Sequence, residues 1–169
     1  AVGAGMVLGA VGTAGPAHAV KKGGMLNFVV GSKIPSYDLH RETTFGVIHP
    51  IRPFYSLLIR VNPDNPQSAT DFVCDLCEGK ISKPTNGGLK YTFKIRSDVI
   101  FHDGTPLTAR DVKFSIEKIM GLVDGIVSPR VGTIKEFVDT SRPDNGIEIV
   151  DQYAVRLHLV APAASLNTF

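Results

Sequence analysis

The side chains with the most chemistry in this sequence are Cys74 and Cys77, separated by Asp75 and Leu76. A Cys-x-x-Cys spacing can be a redox pair, half of a four-thiolate zinc site, or a bridge that closes a small loop. Zinc would need a second pair, and the chain holds 2 cysteines in all. A thioredoxin-like pair needs a strand before the motif and a helix opening at it. Thr70-Asp71-Phe72-Val73 is too short and polar for that strand. In an oxidising compartment the two sulfurs are expected to close a loop or to lie buried. An exported thiol, redox or metal-binding role for Cys74 and Cys77 is the alternative.

The histidines offer less. His102 and Asp103 precede Gly104-Thr105-Pro106, and two adjacent polar residues there read as a hydrogen-bonded turn before they read as a metal or general-base site. His40 and His49 fall on dissimilar elements, which does not favour a shared metal. The sequence has no Gly-x-Ser-x-Gly elbow, no Gly-x-Gly-x-x-Gly fingerprint and no phosphate loop, and nothing pairs a nucleophile with a base. No catalytic residue, metal site or cofactor is therefore expected, and the chain is not expected to be an enzyme.

Elements that would position these residues follow from periodicity. Leu89, Tyr91, Phe93 and Ile95 alternate with Lys90, Thr92, Lys94 and Arg96, a strand with one buried and one wet face. Asn86-Gly87-Gly88 tolerates positive φ and predicts a hairpin between this strand and residues 80–83. Residues 25–30 are rich in β-formers and predict a buried first strand. Val47, Ile51, Phe54, Tyr55, Leu58 and Ile59 fit one helical face, with Pro50 and Pro53 confining the regular part to about Ile51 onward. Thr108 and Asp111 form a start signal for a helix with Val112, Ile116 and Ile119 on its apolar stripe, Leu107 and Met120 at its ends, and Gly121 as its stop. A short helix is expected around residues 134–138. Two strands, 147–150 and 155–159, are joined through Asp151-Gln152, and Pro162 to Leu166 reads as the first turn of a further helix. Helices and strands thus mix without a strict βαβ rhythm, which predicts an α/β domain with a mixed sheet.

Composition narrows the function classes. Hydrophobic residues make up 43% and charged residues 20%, with a net charge of +2 and no dense Lys or Arg cluster, so a nucleic-acid partner is not expected. Residues 1–19 contain no Lys, Arg, Asp or Glu and end in Pro16-Ala17-His18-Ala19. Small residues one and three places before a cut match a signal-peptidase site. This stretch is expected to be part of a signal peptide, with the mature protein starting at Val20 and located in the periplasm.

The run Tyr91-Thr92-Phe93-Lys94-Ile95-Arg96, followed by Phe101-His102-Asp103-Gly104-Thr105-Pro106-Leu107-Thr108-Ala109-Arg110-Asp111-Val112-Lys113-Phe114-Ser115, closely resembles the signature of the family 5 extracellular solute-binding proteins. These are the dipeptide, oligopeptide and nickel-type receptors of ABC importers. Upstream, Tyr37-Asp38-Leu39-His40 takes the place of the family's "LDP" loop, and downstream Val155 to Pro162 matches its "V-x-L-x-L-x-x-P" strand. The sequence departs from the pattern at Leu39, where Pro is usual, and at Cys74/Cys77, where an "AES-W" run is usual.

The resemblance implies a periplasmic binding protein-like fold of type II, two lobes with an extra domain. Residues 20–60 would be the first segment of lobe I, and residues 61–169 the extra α/β domain built into it, truncated at its C-terminal end. It implies the substrate-binding component of an importer, a monomer that captures peptides or similar small solutes for a membrane permease. It also places Thr43, Thr44 and Phe45 in the stretch that lines the ligand cleft, where extended backbone can pair with a bound peptide. Residues 20–169 alone are expected to bind no ligand tightly, because one jaw of a clamp makes few contacts.

Overall fold

The computed structural model describes residues 23–163 except Leu26. The elements in chain order are α1 (Phe45–Ile51), β1 (Ile59–Val61), β2 (Phe72–Cys74), β3 (Lys90–Lys94), α2 (Ala109–Ile119), α3 (Val131–Lys135), β4 (Ile147–Asp151) and β5 (Ala154–His158). β1 and β2 form a small antiparallel pair, and the main sheet has the order β3-β5-β4. The α/β class is as expected; every ladder between these strands is antiparallel.

β5 lies at the centre because it is the strand with side chains covered on both faces. Val155, Leu157 and Leu159 enter the core with Tyr91, Phe93 and Ile95 of the β3 region and with Ile147 of β4. Tyr91 lies opposite Leu157, and Ile147 faces Leu157 from the other side. Ala109 and Val112 of α2, with Leu107 and Met120 at its ends, close this face. The opposite face is polar and carries Thr92, Glu148 and Arg156 in one cross-strand row.

α2 begins and ends as its sequence dictates. The Asp111 carboxylate accepts from the Thr108 backbone N–H at 2.8 Å and from the Thr108 hydroxyl at 2.7 Å, the reach-back half of a capping box. At the other end Gly121 takes a φ of +67°. Its N–H donates to Lys118 O at 3.2 Å, and Leu122 N–H donates to Glu117 O at 2.9 Å. This is a complete Schellman stop.

Five expectations need correction. Residues 27–30 form no strand, and Val29 is 98% exposed; β-propensity makes a strand only where a neighbouring strand takes up the backbone groups. The helix expected from about Ile51 onward instead ends there: it spans Phe45–Ile51 with Pro50 inside it, and the next element is β1 at Ile59. Neither Pro50 nor Pro53 has an N–H to give to a helical ladder, which suits a helix that stops after 7 residues. The partner of β3 is β5, not residues 80–83: the Asn86-Gly87-Gly88 turn is closed by a single Thr85–Lys90 bridge. The short helix expected at 134–138 is α3, starting three residues earlier. The β4–β5 connection is Gln152-Tyr153, one residue later than expected. The helical turn expected after Pro162 and the leader at 1–19 lie wholly or mainly outside the described residues.

Candidate functional site

The expected ligand segment sits at the start of α1. Thr43 and Thr44 are exposed. Thr44 is the N-cap, with extended backbone, and its carbonyl accepts from Val47 N–H at 3.0 Å and Ile48 N–H at 3.1 Å. Phe45 and His49 are one helical turn apart and their rings lie 5.2 Å apart, tilted. Val47, Pro50 and Ile51 are buried on the other side of this short helix. The division leaves Phe45 75% exposed: a large aromatic ring held outward while its own helix is anchored by aliphatic residues.

Two adjoining hollows share Tyr37 and Tyr55 in their walls. One, of about 290 Å³, is lined by Tyr37, Phe54, Tyr55 and His102. The other, of about 250 Å³, is lined by Tyr37, Asp38, Leu39, His40, Tyr55 and Lys118. Neither lining includes Thr43, Thr44 or Phe45, so the structure does not gather the expected contacts into these hollows. The Tyr55 hydroxyl donates to Tyr37 O at 3.0 Å and holds the shared wall. Burial would raise the Asp38 carboxyl, but hydrogen bonds from Lys118 and the His40 N–H outweigh it and hold Asp38 below its ordinary value. Burial, then the nearby Lys118 charge, lowers His40.

His102 and Asp103 behave as a turn. Asp103 Oδ1 accepts from the Thr105 N–H at 2.9 Å and its hydroxyl at 2.7 Å, and these bonds lower its pKa. Gly104 N–H donates to Phe101 O, and Phe101 N–H to Thr105 O. Among the described residues no group of three or more His, Cys, Asp and Glu side chains converges as a metal site would require.

Cys74 and Cys77 are joined in a disulfide, with Cα atoms 4.9 Å apart. Cys77 is buried and bridges to Ile95, Arg96 N–H donates to Leu76 O at 3.0 Å, and Cys77 N–H donates to Leu58 O at 3.3 Å. The bridged turn therefore ties the small β1–β2 sheet to the end of β3. This is the loop-closing role expected of the pair. Closing so short a loop restricts the unfolded chain by about 2 kcal/mol. Changing both cysteines to alanine should lower the urea midpoint correspondingly, and reductant should lower it in the parent chain alone. An unchanged midpoint in both would show that backbone bonds suffice to hold the turn.

A further cluster went unseen in the sequence. Glu148 accepts from Arg156 at 3.2 and 3.3 Å and lies 2.7 Å from His158 Nε2, while Arg156 Nε donates to Thr92 Oγ1 at 3.1 Å. The His158 hydrogen bond is the foremost cause of a lowered Glu148 pKa. Arg156 and His158 alternate with Val155 and Leu157, a signal for one polar face, but which strand lay beside β5 was not readable. The cluster is internally satisfied and fixes the register of β3, β5 and β4.

The fold is that of an α/β unit with an antiparallel three-stranded sheet. The chain belongs to the bacterial extracellular solute-binding proteins, family 5: the model described as "Bacterial extracellular solute-binding proteins, family 5 Middle" matches residues 65–169. It is similar to the probable D,D-dipeptide-binding periplasmic protein DdpA of Escherichia coli K12, at 32% identity over 73 residues, 43% of this chain and 14% of that protein. Among solved structures it resembles MoaA of A. tumefaciens R10 in complex with mannopinic acid, with 27% identity and a TM-score of 0.66, covering 79% of this chain and 25% of that one. The peptide pheromone receptor PrgZ shares its fold, with a TM-score of 0.69 at 19% identity over 82% of this chain and 27% of that one. The chain thus spans a small part of the length of each relative. No helix among the described residues is long and apolar enough to cross a membrane.

Proposed function

We propose that this chain serves in the periplasmic substrate-binding component of an ABC importer, which captures peptides or similar small solutes and delivers them to a membrane permease. The observation that carries this reading is the family match over residues 65–169, on the same stretch that forms the α2 helix and the β3-β5-β4 sheet. DdpA, a dipeptide-binding protein by its description, and MoaA, solved with mannopinic acid, favour a small polar solute as ligand. The protein works as a monomer, without cofactor or chemistry of its own. It is exported through a signal peptide that includes residues 1–19. Residues 20–60 contribute to lobe I, and residues 61–169 form the extra domain.

Within this reading Thr43, Thr44 and Phe45 touch the ligand. Extended backbone at Thr44 and an outward Phe45 ring suit a strand-like contact flanked by a side-chain wall. The test is calorimetry and thermal melting of the full-length protein with a D,D-dipeptide, an all-L tripeptide and mannopinic acid. One of them should bind and raise Tm by mass action. Phe45→Ala should weaken that binding by about tenfold or more with Tm of the free protein little changed. A folded full-length protein that binds none of the three would count against the receptor reading.

A further inference from the structure

Residues 31–44 contain no helix or strand, so side chains must fix their course. Asp38 does so at two ranges. Locally, its Oδ1 accepts from the His40 N–H at 3.0 Å, an Asx turn, and its carbonyl accepts from the Arg41 N–H at 3.1 Å. At long range, both carboxylate oxygens accept from Lys118 Nζ, at 3.1 and 3.0 Å. The two residues lie 80 apart in sequence, the widest separation of any ion pair among the described residues. Both side chains are more buried than the exposed pairs of this protein, such as Lys94–Glu78. Solvent therefore screens this pair less than it does those.

Lys118 stands in the last turn of α2, and the Schellman stop that follows satisfies the Glu117 and Lys118 carbonyls of that turn. The clasp is thus made to a rigid element. On the other side of the loop, Val47 and Ile51 anchor α1 by burial. Thr43, Thr44 and Phe45 hang between these two anchors. If the ion pair is lost, the free stretch runs back past Asp38, and the segment samples many more positions.

We propose that the Asp38–Lys118 ion pair is a clasp that positions Thr43, Thr44 and Phe45 for ligand. Asp38 and Lys118 are positioning residues, not ligand contacts. The proposal rests on the reading of residues 43–45 as ligand-contacting.

Asp38→Asn isolates the ion pair, because an asparagine Oδ1 still accepts from the His40 N–H and keeps the Asx turn. Lys118→Met removes the charge with a side chain of similar reach, and Lys118→Arg restores it. Hydrogen exchange of the full-length, ligand-free protein is the first readout. Amides of residues 39–46 should exchange about three- to tenfold faster in Asp38→Asn and in Lys118→Met, with the amides of β5 unchanged and Lys118→Arg near the parent. The double variant should exchange no faster than either single one, because both remove the same bond.

The second readout is affinity for whichever of the three solutes above binds, with Phe45→Ala alongside. Weaker binding in both single variants, rescued by Lys118→Arg, supports the clasp. Unchanged exchange at residues 39–46 together with weakened binding in Phe45→Ala overturns the clasp and leaves the ligand reading standing. Faster local exchange with unaltered binding in every variant, Phe45→Ala included, overturns the assignment of residues 43–45 and with it the positioning role.

Discussion

Gly146→Ala should destabilise the α/β unit by about 3 kcal/mol or more. The residue occupies the second central position of a turn in which Ile147 N–H donates to Asp144 O at 3.0 Å. Asn145 and Gly146 both take positive φ, +56° and +75°, the pattern of a type I′ turn. A Cβ at Gly146 would stand 2.5 Å from Val138 Cγ1 and 2.7 Å from Asp139 O. The first neighbour is itself fully buried and the second is backbone, so neither can yield cheaply. The Gly146 carbonyl also accepts from His158 N–H at 2.8 Å, and displacement of the turn would pull on the central strand. Gly104→Ala is the matched control: φ is +87°, yet nothing lies within 4 Å of an added Cβ. It should lose only the conformational term, about 1 kcal/mol. Hydrogen-exchange protection of β5 in the two variants measures the difference. Equal losses would mean that the backbone conformation, and not the close approach, sets the demand for glycine.

Gly146 also marks the limit of what the sequence disclosed. Its neighbour pair Asn145-Gly146 is a turn signal in any sequence, but the approach of residues 138 and 139 is a tertiary fact. The same division runs through the fold. Local rules gave the start and stop of α2, because Thr108, Asp111 and Gly121 act on their own neighbours. Alternation gave β3 and β5 to within one or two residues. The partner of β3 was not legible, because residues 80–83 lie close in sequence while the residues of β5 that pair with β3 lie 60 to 68 positions away. Nor was the position of α1, where apolar spacing ran on through Pro53 while the chain turned. At the candidate site, the segment 43–45 came from family resemblance, and its exposure is compatible with contact. The Asp38–Lys118 pair had no local signal at all, since nothing in either neighbourhood names the other.

Ile95→Ala should cost about 2–5 kcal/mol, and Ile95→Val about 0.5–1.5 kcal/mol. Ile95 is 1% exposed and lies just past the last residue of β3. Its N–H donates to Tyr153 O at 2.6 Å, in the β4–β5 turn, and the residue bridges to Cys77 in the disulfide turn. The end of β3, the β4–β5 turn and the disulfide turn therefore meet at the Ile95 backbone, and its side chain lies in the same core cluster as Cys77, with Tyr153 packed against that cluster. Each is held there by its own constraint: the ladder of β3 with β5, the hairpin turn at Gln152-Tyr153, and the Cys74–Cys77 bridge. Surroundings tied in this way cannot collapse to fill a void, so the cavity term should approach its upper range. The graded Val and Ala losses distinguish this from general core apolarity. Ile149→Ala, on β4 with its side chain partly in solvent, should cost well under the Ile95→Ala loss. Urea unfolding followed through β5 amide protection reads all three. If Ile95→Ala cost no more than Ile95→Val, the three segments would have to move together into the space, and the disulfide turn would then be less firmly tied to β3 than its hydrogen bonds imply.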